Sequence, residues 1–85
     1  MYEILLHRNA AKAYERLDNR TVARINKSID SLKENPFYGK NVKKLRGELV
    51  GRYRLSVGRC RVVYRVDEQE RSVIIEDFGA REKIY

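Results

Sequence analysis

The sequence predicts a single α+β domain, in the order β-α-α-β-β-β, with a helical hairpin on one face of a small, twisted, mainly antiparallel sheet. Two segments with helical spacing follow a short apolar strand, and three strand-like segments then come in succession. Helices that are separated in sequence from a run of strands are typical of α+β folds. The length of 85 residues suits one domain over residues 1–85, without a linker or an internal repeat.

The first half of the chain supplies one strand and both helices. Tyr2–Leu6 (YEILL) is apolar and aromatic, which indicates a strand. Asn9 and Asp18 both suit helix N-cap positions, and the second helix should end at Asn35-Pro36, because a residue before proline avoids helical geometry. The apolar residues at helical spacing are Ala10, Ala13, Tyr14 and Leu17, then Val22, Ile25, Ile29 and Leu32.

The second half supplies the sheet. Residues 43–51 (KKLRGELVG) are basic with two glycines, and we expect an irregular approach to the sheet there. Gly58-Arg59 fits a two-residue hairpin turn with glycine first, and Arg71 to Phe78 forms the last strand. The apolar face of the hairpin carries Tyr53, Leu55, Val57, Cys60, Val62, Tyr64 and Val66. The opposite face, which no helix is expected to cover, carries Arg54, Ser56, Arg61, Val63 and Arg65.

Positive charge is concentrated in one segment. The net charge is +7, and residues 40–65 contain nine basic residues but a single acid, Glu48. Such a concentration is an electrostatic footprint for phosphate, whereas solubility alone favours interspersed signs. The sequence therefore favours a nucleic-acid partner.

Composition excludes several other classes. A single cysteine, Cys60, rules out an internal disulfide, and one cysteine with one histidine, His7, gives no zinc-ligand spacing. No run of apolar residues is long enough for a membrane span, and the N-terminus lacks the pattern of a signal peptide. We therefore expect a cytoplasmic protein without a metal or other cofactor and without a membrane partner.

The order of elements and several motifs together resemble the RelE/ParE toxin superfamily of type II toxin–antitoxin pairs. The motifs are KKLRGELVGRYRL (43–55), an arginine directly before VVY on the third strand, and G-x-R-x-x-x-Y at the end of the chain. The resemblance covers nearly the whole sequence. It implies a RelE-like messenger RNA interferase, an endoribonuclease that acts in the decoding site of the ribosome and so inhibits translation.

The resemblance also implies site residues. Arg54 stands at a basic position of the second strand, Arg61 at the arginine of the third, and Arg81 and Tyr85 at a terminal pair. These four are the predicted catalytic residues, and an alignment shifted by two residues around Gly58 puts Arg52 in the place of Arg54. The residues expected to bind RNA or the ribosome are Lys43, Lys44, Arg46, Arg52, Arg59 and Arg65.

These residue types suit RNA cleavage without a metal. The planar fork of arginine binds phosphate oxygens in pairs and stays charged, so it can stabilise the extra negative charge of the transition state. A tyrosine whose pKa is lowered by surrounding arginines can remove the proton of the 2′-hydroxyl, which makes Tyr85 the candidate base.

Two departures from the family pattern keep other functions open. Ala80 stands where many relatives carry a histidine or lysine, and Ser56 replaces a second basic residue of the second strand. Losing a general acid or base commonly slows a reaction by about 10²–10⁴-fold. A ParE-like inhibitor of DNA gyrase without nuclease activity, or a catalytically weakened RNA-binding homologue, are therefore the alternatives.

The resemblance implies a partner as well. A toxin of this kind implies an acidic, RelB-like antitoxin that folds on binding, beside the ribosome and messenger RNA as targets. We expect the free toxin to be monomeric and its complex with the antitoxin to be a higher oligomer.

Overall fold

The computed structural model describes residues 1–80 of the chain. The helices are α1 (Arg8–Glu15) and α2 (Asn19–Glu34), with a short 3-10 turn at Gly47–Leu49. The strands are β1 (Glu3–Leu6), β2 (Val42–Lys44), β3 (Arg52–Val57), β4 (Cys60–Asp67) and β5 (Ser72–Ala80). They form one sheet in the order β1-β5-β4-β3-β2, in which β1 and β5 are parallel and the other neighbours antiparallel. The predicted fold class is therefore confirmed.

The helices begin where side chains can cap them. Asp18 caps α2 as predicted, since its carboxylate accepts a hydrogen bond from the Thr21 backbone N–H at 2.7 Å. The prediction of Asn9 as the first N-cap is wrong, because α1 already begins at Arg8. His7 caps it instead, with Nδ1 accepting from the Asn9 backbone N–H at 3.2 Å.

The sheet has one strand more than the sequence predicts. Val42–Lys44 lies in the stretch expected to be irregular, yet it pairs with β3, with Lys43 opposite Arg54 and Lys44 opposite Tyr53. Lysine is depleted in strands, and a three-residue segment has too little pattern to be recognised. Strand β2 forms because its pairing with β3 compensates for the low intrinsic strand propensity of its residues.

The core lies between the helices and one face of the sheet. Helix α1 lies against β5, and α2 lies against β1 and β3. The largest fully buried side chains of the core include Ile25, Leu32, Val62, Tyr64 and Ile75. Ile25, Ile29 and Leu32 of the predicted apolar stripe of α2 are thus confirmed as core, whereas Val22 is half-buried. Tyr64 also donates its hydroxyl proton to the carbonyl oxygen of Pro36 at 2.6 Å, which satisfies two buried polar atoms at once.

The β3–β4 connection is the two-residue turn that the sequence predicts. Val57 pairs with Cys60, and Gly58 has a φ of +59°, as the first position of a type II′ turn requires. The guanidinium of Arg24 from α2 lies over this turn, so a Cβ atom at position 58 would come within 2.8 Å of Arg24 Nη2. The turn is therefore fixed by backbone geometry and by contact with α2.

Candidate nucleic-acid interface

The face of the sheet opposite the helices carries the arginines of the hairpin. On β3 and β4, Arg52 lies opposite Arg65, Arg54 opposite Val63 and Ser56 opposite Arg61. We call this surface the open face. The alternation read from the sequence placed all of these residues except Arg52 there, and the strand register agrees with it and adds Arg52.

A basic hollow of about 440 Å³ lies at the β2 end of the open face. Its lining consists of Lys43, Lys44, Leu45, Arg46 and Arg54. Four of these five residues are basic, and Leu45 is buried, with 8% of its surface exposed. Lys43 and Arg54 share the open face, whereas Lys44 pairs with Tyr53 and leaves the strand on the opposite face. Strand β2 creates the hollow, because it brings Lys43 directly opposite Arg54. Several cations around one concavity form a site for a phosphate group.

Arg61 lies on the open face towards the hairpin turn, outside the lining of the hollow, and the turn orients it. Its Nη1 donates to the carbonyl oxygens of Gly58 at 2.8 Å and Cys60 at 3.1 Å. In the β3–β4 ladder it is a diagonal neighbour of Arg54, a relation that separates residues by about 7–8 Å. The structure thus brings Arg54 and Arg61, two of the four predicted catalytic residues, to one region of the open face. Arg81 and Tyr85 lie outside the described residues.

A β-bulge places an acid between two further arginines. Val63 pairs with Asp77 and Tyr64 with Ile75, so Glu76 is the extra residue of β5. Its Oε1 accepts from Arg52 Nε at 2.5 Å, and its Oε2 lies 3.4 Å from Arg52 Nη2 and 3.6 Å from Arg65 Nε. Two of the residues expected to bind RNA are therefore engaged with a carboxylate of the same chain.

The sequence reasoning missed these acids. It counted charge along residues 40–65, whereas folding adds Glu76 and Asp77 of β5 to the same neighbourhood. A signal was available: Val73, Ile75 and Phe78 are all buried, and their spacing of two and then three residues indicates a bulge just where the acids lie. The open face is consequently basic but not of a single sign.

Arg59 lies apart from the hollow. It is exposed in the hairpin turn and lines a separate cleft of about 550 Å³ on the helical side of the sheet. That cleft is also lined by Leu17 and Arg24 of the helical layer and by Val57 and Cys60 of the hairpin. Arg59 is thus not brought together with Arg54 and Arg61, although the turn that carries it adjoins both surfaces.

Other titratable side chains have structural roles. Burial raises the pKa of the Tyr64 phenol well above its ordinary value, and burial likewise raises the pKa of the Cys60 thiol. Tyr53 stacks on Tyr64 with ring centroids 5.5 Å apart, and His7 caps α1. Tyr64 and Cys60 therefore stay protonated at neutral pH, and neither is suited to act as a base.

Residues 1–80 were also compared with the requirements of a metal site and of a membrane-spanning helix. No three side chains among the described His, Cys, Asp and Glu residues are grouped so that they can hold a metal ion. Neither helix of this part is long and apolar enough to span a bilayer.

Comparison with known proteins assigns the chain to a family. Residues 4–85 match the model for the ParE toxin of type II toxin–antitoxin systems. No curated protein matches the sequence.

Solved structures give the same picture. The chain is similar to a protein in the RelBE2 toxin–antitoxin complex of Mycobacterium tuberculosis, with 26% identity, a TM-score of 0.82, and 94% of this chain and 98% of that one covered. It is similar to a protein in the archaeal RelE–RelB complex of Pyrococcus horikoshii, with 26% identity, a TM-score of 0.81 and 98% of both chains covered. It is also similar to a YoeB/ParE toxin of Agrobacterium tumefaciens, with 25% identity, a TM-score of 0.82, and 92% of this chain and 96% of that one covered.

The family match spans nearly the whole sequence, and the structural matches show that the chain shares their overall fold. The chain therefore belongs to the ParE toxin family, within the RelE/ParE superfamily of type II toxin–antitoxin toxins.

Proposed function

We propose that this toxin is a metal-independent, ribosome-dependent endoribonuclease that cuts messenger RNA in the decoding site. The basic hollow carries the proposal, because its basic residues, with Arg61 further along the same sheet face, can hold the phosphates of an RNA strand. Two of the similar solved structures contain proteins named RelE or RelBE, which is consistent with this branch of the superfamily.

The residues of the open face take separate parts in the proposed reaction. Lys43, Lys44 and Arg46 bind the phosphates that flank the scissile bond. Arg54 and Arg61 stabilise the extra negative charge on the reacting phosphate, and the backbone carbonyls that hold Arg61 Nη1 fix its direction beforehand. Holding the arginine in advance avoids reorganisation at the moment of reaction.

The remaining site residues stay predictions from the family resemblance. Arg81 is proposed as a third phosphate ligand and Tyr85 as the base that removes the 2′-hydroxyl proton. The 2′-oxygen then bonds to phosphorus, the bond from phosphorus to the 5′-oxygen breaks, and the leaving 5′-oxygen takes a proton from water or from the ribosome. Arg59 is proposed as a contact to RNA or the ribosome. Arg52 and Arg65, which are paired with Glu76, are proposed as contacts to the ribosome. The ribosome would supply the alignment of the RNA, which is why naked RNA is not expected to be cut at a useful rate.

The proposed partner is an acidic, RelB-like antitoxin in the cytoplasm. Two of the similar structures are toxin–antitoxin complexes, and a chain of net charge +7 attracts an acidic partner. We expect the isolated toxin to be a monomer by light scattering and its antitoxin complex to be a higher oligomer. A tight homodimer of the isolated toxin would contradict the first expectation.

Inhibition of DNA gyrase is the second candidate, and the match to the ParE family model favours it. Ala80 and Ser56 favour it too, because the nuclease would lack basic groups at those two positions. In this case the open face binds a protein or DNA and breaks no phosphodiester bond.

Two assays on one preparation separate the candidates. Primer extension on messenger RNA in programmed ribosomes detects cleavage, and a supercoiling assay with purified gyrase detects the other activity. Breaks within the decoding site without an effect on supercoiling support the nuclease. Inhibited supercoiling without breaks assigns the chain to the gyrase inhibitors.

A further inference from the structure

The carboxylate of Glu76 lies between two arginines that face each other across the hairpin. Arg52 and Arg65 are directly opposed on β3 and β4, an arrangement of like charges that is unfavourable in a sheet. The bulge of β5 brings Glu76 to both of them. Its two oxygens meet Arg52 through Nε and Nη2, in the paired geometry that arginine uses for carboxylate and phosphate alike.

We propose that Glu76 occupies the place that an RNA phosphate would take between Arg52 and Arg65, and that it thereby directs RNA to the basic hollow. The inference rests on the proposed function in that RNA is the ligand. Glu76 acts as a specificity-determining residue, since it decides which arginines of the open face meet phosphate.

The contrast between the basic hollow and the neighbouring Arg52–Glu76–Arg65 group supports this inference. None of the ion pairs found within residues 1–80 includes Lys43, Lys44 or Arg46, whereas Arg52 and Arg65 both pair with Glu76. A phosphate that approaches Arg52 or Arg65 must displace a carboxylate whose side chain is 23% exposed. At the hollow the same phosphate meets Lys43 and Arg46, which none of those ion pairs includes.

The test measures binding of the folded toxin to a short single-stranded RNA oligonucleotide over a series of salt concentrations. Glu76→Gln keeps the shape of the side chain and removes its charge. Glu34→Gln on α2 makes the same charge change at an exposed position away from the open face. We expect Glu76→Gln to bind several-fold more tightly, with a logarithmic salt slope steeper by about 0.7 for each additional phosphate that the variant neutralises, whereas Glu34→Gln stays close to wild type.

A double-mutant cycle assigns the tighter binding to the two arginines. Arg52→Ala/Arg65→Ala should change RNA affinity by less than about twofold in the wild-type background and should abolish the increase in affinity in the Glu76→Gln background. The inference is overturned if the arginine pair weakens wild-type binding about as much as Lys43→Ala does, or if Glu76→Gln binds like Glu34→Gln. Should Glu76→Gln fail to fold, the effect of the arginine pair in the wild-type background decides the matter.

The test also separates this inference from the proposed function, because it uses no ribosome. A toxin that shows the Glu76 effect but makes no breaks in programmed ribosomes keeps the inference and loses the nuclease. A toxin that cuts messenger RNA but shows no Glu76 effect keeps the nuclease and loses the inference.

Discussion

Side chains of the hairpin lie either in the core or on the open face, and Tyr64 is a core residue. Its hydroxyl reaches the carbonyl oxygen of Pro36 at 2.6 Å, and its ring stacks on Tyr53. Tyr64→Phe leaves that buried carbonyl without its donor, so the free energy of unfolding should fall by about 1–3 kcal/mol. Urea denaturation measures the change. Tyr38→Phe is the control, because Tyr38 is 80% exposed, and an equal loss in both variants would contradict the assigned hydrogen bond.

The same residue predicts a dependence of stability on pH. Burial raises the pKa of the Tyr64 phenol in the folded chain above its ordinary value of 10.0. The folded state therefore keeps this proton where the unfolded state releases it. The stability that Tyr64 contributes is full below about pH 10 and is lost as the pH rises further. Melting curves should show a shallower decline above pH 10 for Tyr64→Phe than for wild type. Parallel declines would contradict the prediction.

At the residue scale the sequence predicted which residues lie on the open face better than it predicted the contacts that they make. Alternation along the hairpin places Arg54 and Arg61 on the open face without knowledge of the fold. The contacts of Arg61 with the turn carbonyls, and those of Arg52 with Glu76, depend on rotamers and on a bulge that period-two alternation does not contain. Arg52 and Glu76 are 24 positions apart in sequence, and the strand order of the folded sheet brings them together.

Among the elements, the β3–β4 turn positions Arg61 and allows the most direct test. Gly58→Ala forces a side chain into a backbone geometry with φ near +59°, which should cost about 1–3 kcal/mol of stability. Thermal or urea unfolding measures this loss. Gly39→Ala is the comparison, since Gly39 is not among the glycines with positive φ. A Gly58→Ala variant as stable as wild type would mean that the turn adopts another conformation.

The N-terminus of α2 offers a second test at this scale. Hydrogen bonding from Thr21 lowers the pKa of Asp18, so the stability that this cap contributes is present above about pH 4 and is lost as the pH falls. Asp18→Ala should lower the melting temperature at neutral pH. Asp18→Asn should keep a working cap but lose the pH dependence. Circular dichroism melts from pH 2 to 7 measure both, and an Asp18→Asn profile identical to wild type would contradict the prediction.

Elements with strong periodicity or a specific turn were predictable, and the weak ones were not. Helix α2 combines an apolar stripe, a capping aspartate and a terminal Asn-Pro, which agree with one another. Strand β2 has three residues, two of them lysine, and it exists because the edge of β3 accepts it. The basic hollow depends on that strand, so the sequence predicted the basic residues that line the hollow but not the hollow itself.

Across the whole molecule, the charge that the sequence concentrates in residues 40–65 becomes a surface with an internal pattern. The helices bury one face of the sheet, and the strand order places the basic hollow, Arg61, and Glu76 with its two arginines on the other. A net charge of +7 alone attracts any polyanion. The pattern of the open face, in which Arg52 and Arg65 are paired with Glu76, distinguishes a binding site from a uniformly basic surface.

The most direct test of the central claim, that the hollow of the open face holds messenger RNA for cleavage, is the cleavage rate in programmed ribosomes for two variants of equal charge. Lys43→Ala/Arg54→Ala removes two cations of the hollow, and Arg20→Ala/Lys27→Ala removes two exposed cations of α2. The hollow variant should cut on the order of 10²-fold more slowly or worse, while the helix variant stays within about threefold of wild type. Equal losses in both variants, or a wild-type toxin that makes no breaks, would contradict the claim.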